Sequence, residues 1–147
     1  MSLKEKLLED LKVSMKNKDL IRKNTITMIR AAIKQVEVDE RAEIDDERIL
    51  EIISKQLKEK KNAIEEFKRG NRQDLVEQTE EEIKILLEYL PKQLTEEEIK
   101  EIVVETLNEI GAKSIKDIGL VMKSVMPKVK GRADGSTVNK IVRQLLQ

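Results

Sequence analysis

Apolar residues recur at intervals of three and four along most of the chain, which is the spacing that places them on one face of a helix. The first set shares one predicted helix face and comprises Leu3, Leu7, Leu8, Leu11 and Met15. Residues 17–19 then supply a turn and a candidate N-cap. The second set continues from Leu20 to Val36. In the acidic segment 37–43 that follows, apolar residues no longer recur at helical spacing. The pattern therefore predicts two successive amphipathic helices.

A third and a fourth helix follow with the same period. Asp45 or Asp46 is expected to cap the third helix, and Gly70 stands where a left-handed residue would end it. Its apolar stripe comprises Leu50, Ile53, Leu57, Ile64 and Phe67, and a heptad reading places Lys60 at a core position. The fourth helix is predicted from about residue 73 to Leu90, where Pro91 stops it. A helical hairpin within the fold is favoured over a free coiled coil.

The chain changes character after Pro91, where residues 91–94 are interpreted as a joint. Thr95 and Glu98 have the spacing of a capping box, and the helix they open is predicted to end at Gly111. A shorter helix capped by Ser114 is predicted to close at Pro127, and a last helix to begin near Ser136 after a loop. The prediction is an all-α protein, with a long-helix hairpin or bundle domain at 1–92 and a small three-helix domain at 93–147.

Composition removes several kinds of chemistry. The chain has no Cys and no His, which excludes thiol nucleophiles, imidazole acid–base catalysis and the usual zinc ligands. It has no GxxxxGK[ST] or GxGxxG motif for a nucleotide phosphate, and its serines lie in or beside predicted helices. We therefore predict no catalytic residue, no cofactor and no metal. The N-terminal stretch has no apolar signal-peptide core and no run is long enough to span a bilayer, so the expected location is cytoplasmic, without a membrane partner.

Charge is balanced overall but unevenly distributed. Lysines plus arginines and aspartates plus glutamates number 29 each, yet from Ala112 to the end eight basic residues face only Asp117 and Asp134. Lys128, Lys130 and Arg132 alternate along a glycine-containing segment beside a predicted helix N-terminus, a combination suited to binding phosphate. Lys123, Lys140 and Arg143 are outer candidates. The alternative interpretation is an ordinary solvated loop, and the charge pattern alone does not separate the two.

Several short segments resemble one known family. They are MIRAAIK at 28–34, EEF at 65–67, EYLPKQL at 88–94, IGLVM at 118–122, and KGRADG at 130–135 with Val138 and Asn139. Together they resemble the YqeY family over nearly the whole chain. From about Thr95 onward the chain is also similar to the tail domain of the B subunit of bacterial glutamyl/aspartyl-tRNA amidotransferase.

The resemblance implies a helical N-terminal domain and a three-helix tail, which in the amidotransferase contacts the body of the tRNA. The kinase-like catalytic cradle and the amidase subunit have no counterpart here. The leading hypothesis is an accessory protein that binds tRNA or another structured RNA, beside aminoacyl-tRNA enzymes and without catalysis of its own. This hypothesis needs the acids of helix 95–110 to face away from the RNA. The alternatives are a protein-interaction adaptor and a component of a glutamine-dependent carbon–nitrogen ligase that requires other subunits.

Overall fold

A computed structural model describes residues 1–147 and consists of seven α-helices and one short 3-10 helix, without strands. The predicted all-α class is confirmed. The first four helices are α1 (Leu3–Lys16), α2 (Leu20–Glu40), α3 (Asp46–Arg69) and α4 (Gln73–Tyr89). They are followed by α5 (Glu96–Ile110), the 3-10 helix Ile115–Asp117, α6 (Ile118–Val129) and α7 (Gly135–Leu146). No helix has both the length and the apolar character needed to cross a membrane.

The chain divides into two compact units, Met1–Leu90 and Pro91–Gln147. Each unit has a separate cluster of buried apolar side chains. The division falls two residues before the predicted boundary between 92 and 93. Independent folding of the two units stays a prediction.

In the first unit, α1 packs on α2 and α3 on α4, and α2 joins the two pairs by contacting both α3 and α4. The fully buried apolar core includes Leu7, Ile26, Ile29, Ile49, Ile53 and Leu86. Lys60, which the heptad pattern placed at a core position, lies between α3 and α4. There it pairs with Glu82 at 2.6 Å, each side chain being 16% exposed. A lysine is tolerated at this position because its charge has a carboxylate partner.

Local capping explains where the helices of the first unit begin. The Asp19 carboxylate accepts from the backbone N–H of Arg22 at 3.2 Å, and Asp45 accepts from that of Arg48 at 3.0 Å. Gly70 does not take the predicted left-handed conformation, since its φ is −87°. Asn71, with φ 56°, takes it instead. The turn is therefore made one residue later, by a residue type that tolerates this region better than most.

Some apolar residues of α1, α2 and α4 are exposed although they follow the helical spacing of apolar positions. Met15, Leu20, Met28 and Leu87 are 55%, 63%, 55% and 36% exposed, whereas Ile26 and Ile85 are buried. In α2, the neighbours on several sides decide which row of residues is covered. The sequence pattern of one helix therefore predicts the spacing of its buried residues but not which row of residues is most deeply buried.

The second unit has a core rich in valine. Val103, Val121, Val125, Val129, Val138 and Val142 are all fully buried. The prediction that Pro127 closes its helix is wrong, because α6 continues to Val129 with Pro127 inside it. Pro127 is exposed near the C-terminal end of the helix, where it costs one backbone hydrogen bond. The additional residues place Val129 in the core in line with Val121 and Val125, which offsets that cost.

Candidate nucleic-acid interface

Two of the segments that the resemblance singled out are hydrogen-bonded to each other within the second unit. The backbone N–H of Leu94 donates to the carbonyl of Arg132 at 2.8 Å. The side-chain amide of Gln93 donates to the carbonyl of Gly131 at 2.8 Å. The segment 130–135 is therefore a fixed turn held by residues 93 and 94. Gln93 is a positioning residue that charge-based reasoning missed, although it belongs to one of the resembling segments.

The turn between α6 and α7 depends on Gly131. Its φ is +76°, a left-handed conformation that a side chain disfavours. Around it, the backbone N–H groups of Arg132 and Ala133 both donate to the carbonyl of Val129, at 2.8 and 3.1 Å. Asp134 then caps α7 by accepting from the backbone N–H and the hydroxyl of Ser136. The chain's own carboxylate thus occupies the end of α7 that was considered for a phosphate.

Lys128 lies in α6 and not in a loop. Its Nζ lies 2.9 Å from Oγ1 of Thr106 and 3.0 Å from Oε2 of Glu109, both on α5. Thr106 is fully buried, and its hydroxyl also donates to the carbonyl of Ile102. Lys128 therefore ties α6 to α5. Sequence reasoning missed Thr106 and Glu109 as its partners, because only the packing of the two helices brings them together.

Arg132 also makes an internal contact, and Lys130 lies at the end of α6. The guanidinium of Arg132 donates to the carbonyl of Lys128, one of the last carbonyls of α6, so Arg132 caps that helix. Lys130 is the residue that follows α6, and its side chain is exposed. Although Lys128, Lys130 and Arg132 are close in sequence, their side chains have different surroundings.

The outer candidates lie on solvent faces of α6 and α7, two helices that pack on each other. Along α6, the exposed residues Leu120, Lys123, Pro127 and Lys130 have the spacing of one face. Along α7, the corresponding exposed face is Ser136, Lys140, Arg143 and Gln147, and the guanidinium of Arg143 donates to the Asn139 side chain at 2.8 Å. We call Lys123, Lys130, Lys140 and Arg143 the basic α6–α7 surface.

Acidic residues are almost absent from these two helices. Between Ile118 and the end of the chain the sequence has six basic residues and a single acid, Asp134, which caps α7. The exposed face of α5 differs, since it carries Glu97, Glu101 and Glu105 beside Lys100. The second unit therefore has two basic helices, α6 and α7, and one helix, α5, whose exposed face is acidic.

The start of α5 has the predicted capping box. The Thr95 hydroxyl accepts from the backbone N–H of Glu98 at 3.1 Å, and the Glu98 carboxylate accepts from that of Thr95 at 3.0 Å. The hydrogen bonds from the Thr95 backbone and hydroxyl hold the pKa of Glu98 below its usual range, and the charges of Lys92 and Arg132 lower it further. Glu98 is thus close enough to feel the charge of Arg132, one of the residues considered for a phosphate contact.

No group of three or more acidic side chains converges closely enough to hold a metal ion. The arrangement offers exposed ammonium and guanidinium groups on a helical scaffold. Chemically, it can neutralise anions at a surface.

Comparison with known proteins identifies a family and several relatives that this chain is similar to. A family model described as "Yqey-like protein" matches residues 4–146. The protein named "Altered inheritance of mitochondria protein 41, mitochondrial" from Pyrenophora tritici-repentis is 34% identical over 146 residues, which cover 96% of this chain and 79% of that protein. The protein of the same name from Lachancea thermotolerans is 41% identical over 85 residues, 57% of this chain and 46% of that protein. The chain thus matches about half of the length of one of these relatives.

A third relative carries a name from tRNA metabolism. It is a subunit of glutamyl-tRNA(Gln) amidotransferase from Saccharolobus solfataricus, 42% identical over 60 residues, which are 41% of this chain and 10% of that protein. The shared part is comparable in length to the second unit.

The comparisons contradict the predicted cytoplasmic location, because the fungal relatives are named as mitochondrial proteins. That prediction rested on the missing apolar signal-peptide core. Such a core marks secretion only, whereas segments that direct import into organelles are amphipathic and rich in arginine. The absence of an apolar run therefore does not distinguish a cytoplasmic protein from an imported one.

Proposed function

Because the chain belongs to the Yqey-like protein family, whose model matches residues 4–146, we propose that it is an accessory protein that binds tRNA or a similarly structured RNA. In this proposal the second unit makes the contact and performs no chemistry of its own. The observation that carries the proposal is the basic α6–α7 surface, where Lys123, Lys130, Lys140 and Arg143 are exposed on two packed helices. Lys128 and Arg132, which make internal contacts, maintain the shape of that surface.

The chemistry of this surface suits backbone recognition. Lysine and arginine side chains neutralise phosphates and release counterions, and this gain does not depend on base sequence. Residues 91–147 include no Phe, Tyr or Trp, so the second unit has no aromatic platform for stacking unpaired bases. Recognition by backbone and shape suits a folded RNA whose helical grooves present phosphates and 2′-hydroxyls.

The relative named for glutamyl-tRNA(Gln) amidotransferase supports the choice of tRNA as the RNA class. Its similarity to this chain is confined to 60 residues, which are a small part of that relative. A shared part of this size is expected of a binding module. The same relative favours a second candidate, in which the chain is one component of a glutamine-dependent carbon–nitrogen ligase that acts only with other subunits.

The test measures binding of full-length protein to fluorescently labelled tRNA at several salt concentrations. Replacing Lys123, Lys130, Lys140 and Arg143 with Ala should weaken binding. It should also flatten the log–log salt dependence by about three units, if each phosphate contact contributes roughly 0.7 to 0.9. A matched control replaces four exposed basic residues of α3 with Ala, namely Lys55, Lys61, Lys68 and Arg69. Because both variants lose four positive charges, a difference in tRNA affinity between them shows that the position of those charges matters.

Equal loss in both variants would mean that overall charge drives binding and would contradict a defined surface. Unchanged affinity in the α6–α7 variant would favour the adaptor alternative. The ligase-component candidate is tested by ammonia release from glutamine. It predicts no turnover by the chain alone, and turnover that depends on the chain once an amidase subunit is present.

A further inference from the structure

The outer side of the α1–α2 pair has an open groove of about 630 Å³. Its floor is mainly apolar and includes Leu8, which is 39% exposed although its neighbour Leu7 is fully buried. Across from Leu8, α2 contributes Thr27 and Ala31 to the lining. The sequence pattern predicted an inward position for Leu8, yet the four helices of this unit leave it partly uncovered.

Apolar exposure continues toward the turn between α1 and α2. Met15 and Leu20 are 55% and 63% exposed and line a second hollow of about 390 Å³. This hollow also includes Lys18 and Lys23. Adjacent exposed apolar side chains of this kind are typical of a surface that another molecule covers.

The polar rim of the groove has an excess of positive charge. Lys4 is paired with Glu37, whose carboxylate also accepts from the backbone N–H of Ile44 at 3.0 Å. The hydrogen bond from Lys4, followed by that from Ile44, holds the pKa of Glu37 below its usual range. The negative charge of Glu37 is therefore already paired within the chain. Arg30 and Lys34 line the same groove and make no ion pair within the chain. Of the lining acids, only Glu5 remains to oppose them.

We infer that this groove binds an acidic amphipathic helix of a partner protein. A furrow between two antiparallel helices is where a third helix packs, with its apolar residues on the floor. Here Leu8 and Ala31 would be covered, and acids on the flanks of the incoming helix would pair with Arg30 and Lys34. Since α1 has 14 residues and is therefore about 21 Å long, the occupant is a helix of about four turns.

The apolar floor favours a protein helix over RNA, because phosphate contacts need cations but gain nothing from an exposed leucine. The concave shape favours a helix over a membrane, since amphipathic surfaces that bind bilayers insert a protruding apolar face. This inference concerns the first unit and is independent of the proposed RNA contact of the second.

The experiment titrates the full-length chain into a fluorescein-labelled peptide of about 16 residues, long enough to span the groove. The peptide has Leu at positions i, i+3, i+7 and i+10 and Glu at most others, and a second peptide has Lys in place of each Glu. The Glu peptide should bind and the Lys peptide should not. Arg30→Glu combined with Lys34→Glu should weaken binding by about tenfold or more, because two attractions become repulsions. Leu8→Gln should also weaken binding of the Glu peptide, because it replaces an apolar side chain of the groove floor with a polar one.

The matched control is Lys55→Glu with Lys61→Glu, which makes the same charge change on exposed positions of α3 and should leave peptide affinity unchanged. Circular dichroism verifies that each variant keeps its helical content. Equal binding of the Glu and Lys peptides, no binding of the Glu peptide, or an equal loss in the control variant would overturn the inference. It would also be overturned if tRNA or anionic vesicles, and not the Glu peptide, lost affinity in the Arg30 and Lys34 variant.

Discussion

The ammonium group of Lys128 lies 3.0 Å from the carboxylate of Glu109, which joins α6 to α5. The same ammonium contacts the buried hydroxyl of Thr106 at 2.9 Å. A residue that sequence reasoning placed first among the phosphate contacts thus has two partners inside its own unit. This relationship distinguishes Lys128, which joins two helices of the second unit, from Lys123, which is exposed on the basic α6–α7 surface.

We expect Lys128→Ala to lower stability more than RNA affinity. Its loss removes a part-exposed ion pair and a hydrogen bond to Thr106, which together should cost about 1 kcal/mol of unfolding free energy. Urea unfolding measures this cost. Lys123→Ala is the comparison, because Lys123 is exposed on the basic α6–α7 surface and its loss should reduce tRNA affinity without changing stability. A Lys128 variant that is fully stable but loses as much affinity as the Lys123 variant would contradict this division.

Substitution of two glycines should have effects of opposite sign. Gly131→Ala forces a side chain into a backbone with φ +76°, which should destabilise the chain by about 1–2 kcal/mol. Gly119 lies in α6 with open space around its Cβ position, so Gly119→Ala should stabilise by up to about 1 kcal/mol. Thermal or urea unfolding of both variants checks the prediction. Equal effects would mean that the turn at Gly131 is not held as described.

Tyr89 should resist ionisation in the folded chain. It is 6% exposed, and its hydroxyl donates to Asp10 at 2.5 Å. Burial first, and then the Asp10 carboxylate, raise the pKa of Tyr89 well above its usual value of 10.0. Since it is the only tyrosine and there is no tryptophan, ultraviolet absorbance near the phenolate band follows it alone.

The direction of the pH effect on stability follows from this raised pKa. The contribution of Tyr89 is fully present below pH 10.0, where both states are protonated, and is lost as the pH rises above it, because the unfolded chain then releases its proton first. The Tyr89→Phe variant should lose this alkaline dependence and about 1 kcal/mol of stability at neutral pH. A tyrosine that titrates in the native protein at its ordinary pKa would refute the buried contact with Asp10.

A fragment of residues 91–147 should fold without the first unit. Its valine-rich core is its own, and the turn at Gly131 is held by Gln93 and Leu94 from the same fragment. Circular dichroism should give helical content with a cooperative urea transition, although a domain of this size is near the lower limit for a core alone. A fragment starting at Thr95 lacks both anchors and should be less stable. Loss of cooperativity in the longer fragment would show that it is not an independent domain.

Much of the fold follows from local rules. The period of apolar residues and the caps at Asp19, Asp45 and Thr95 locate the helices, since these signals depend on neighbours in sequence. Two predicted helix ends differ from the structure. Asn71 replaces Gly70 in the left-handed position, and Pro127 remains inside α6 because the residues beyond it reach the core. A sequence pattern lists the candidates for a helix end, but the burial gained by one more turn decides among them.

The candidate site was less predictable than the fold. The sequence supplied the basic residues of this segment and of α6 and α7 as candidates, because charge and spacing can be read directly. It could not predict that Lys128 contacts Thr106 and Glu109, because α5 and α6 come together only when the helices pack. For the same reason it gave no sign of the groove beside Leu8, which exists because α1 and α2 leave one side uncovered.

By itself, the sequence determined that the protein is helical, that the fourth helix ends before Pro91, and that chemistry dependent on thiol or imidazole groups is excluded. These conclusions depend on residue identity and on interactions within a turn or two of helix. Tertiary structure decided which face of each helix is buried and which cations are paired. Burial and ion pairing are set by distances between residues far apart in the chain, and such distances are fixed only when the helices pack.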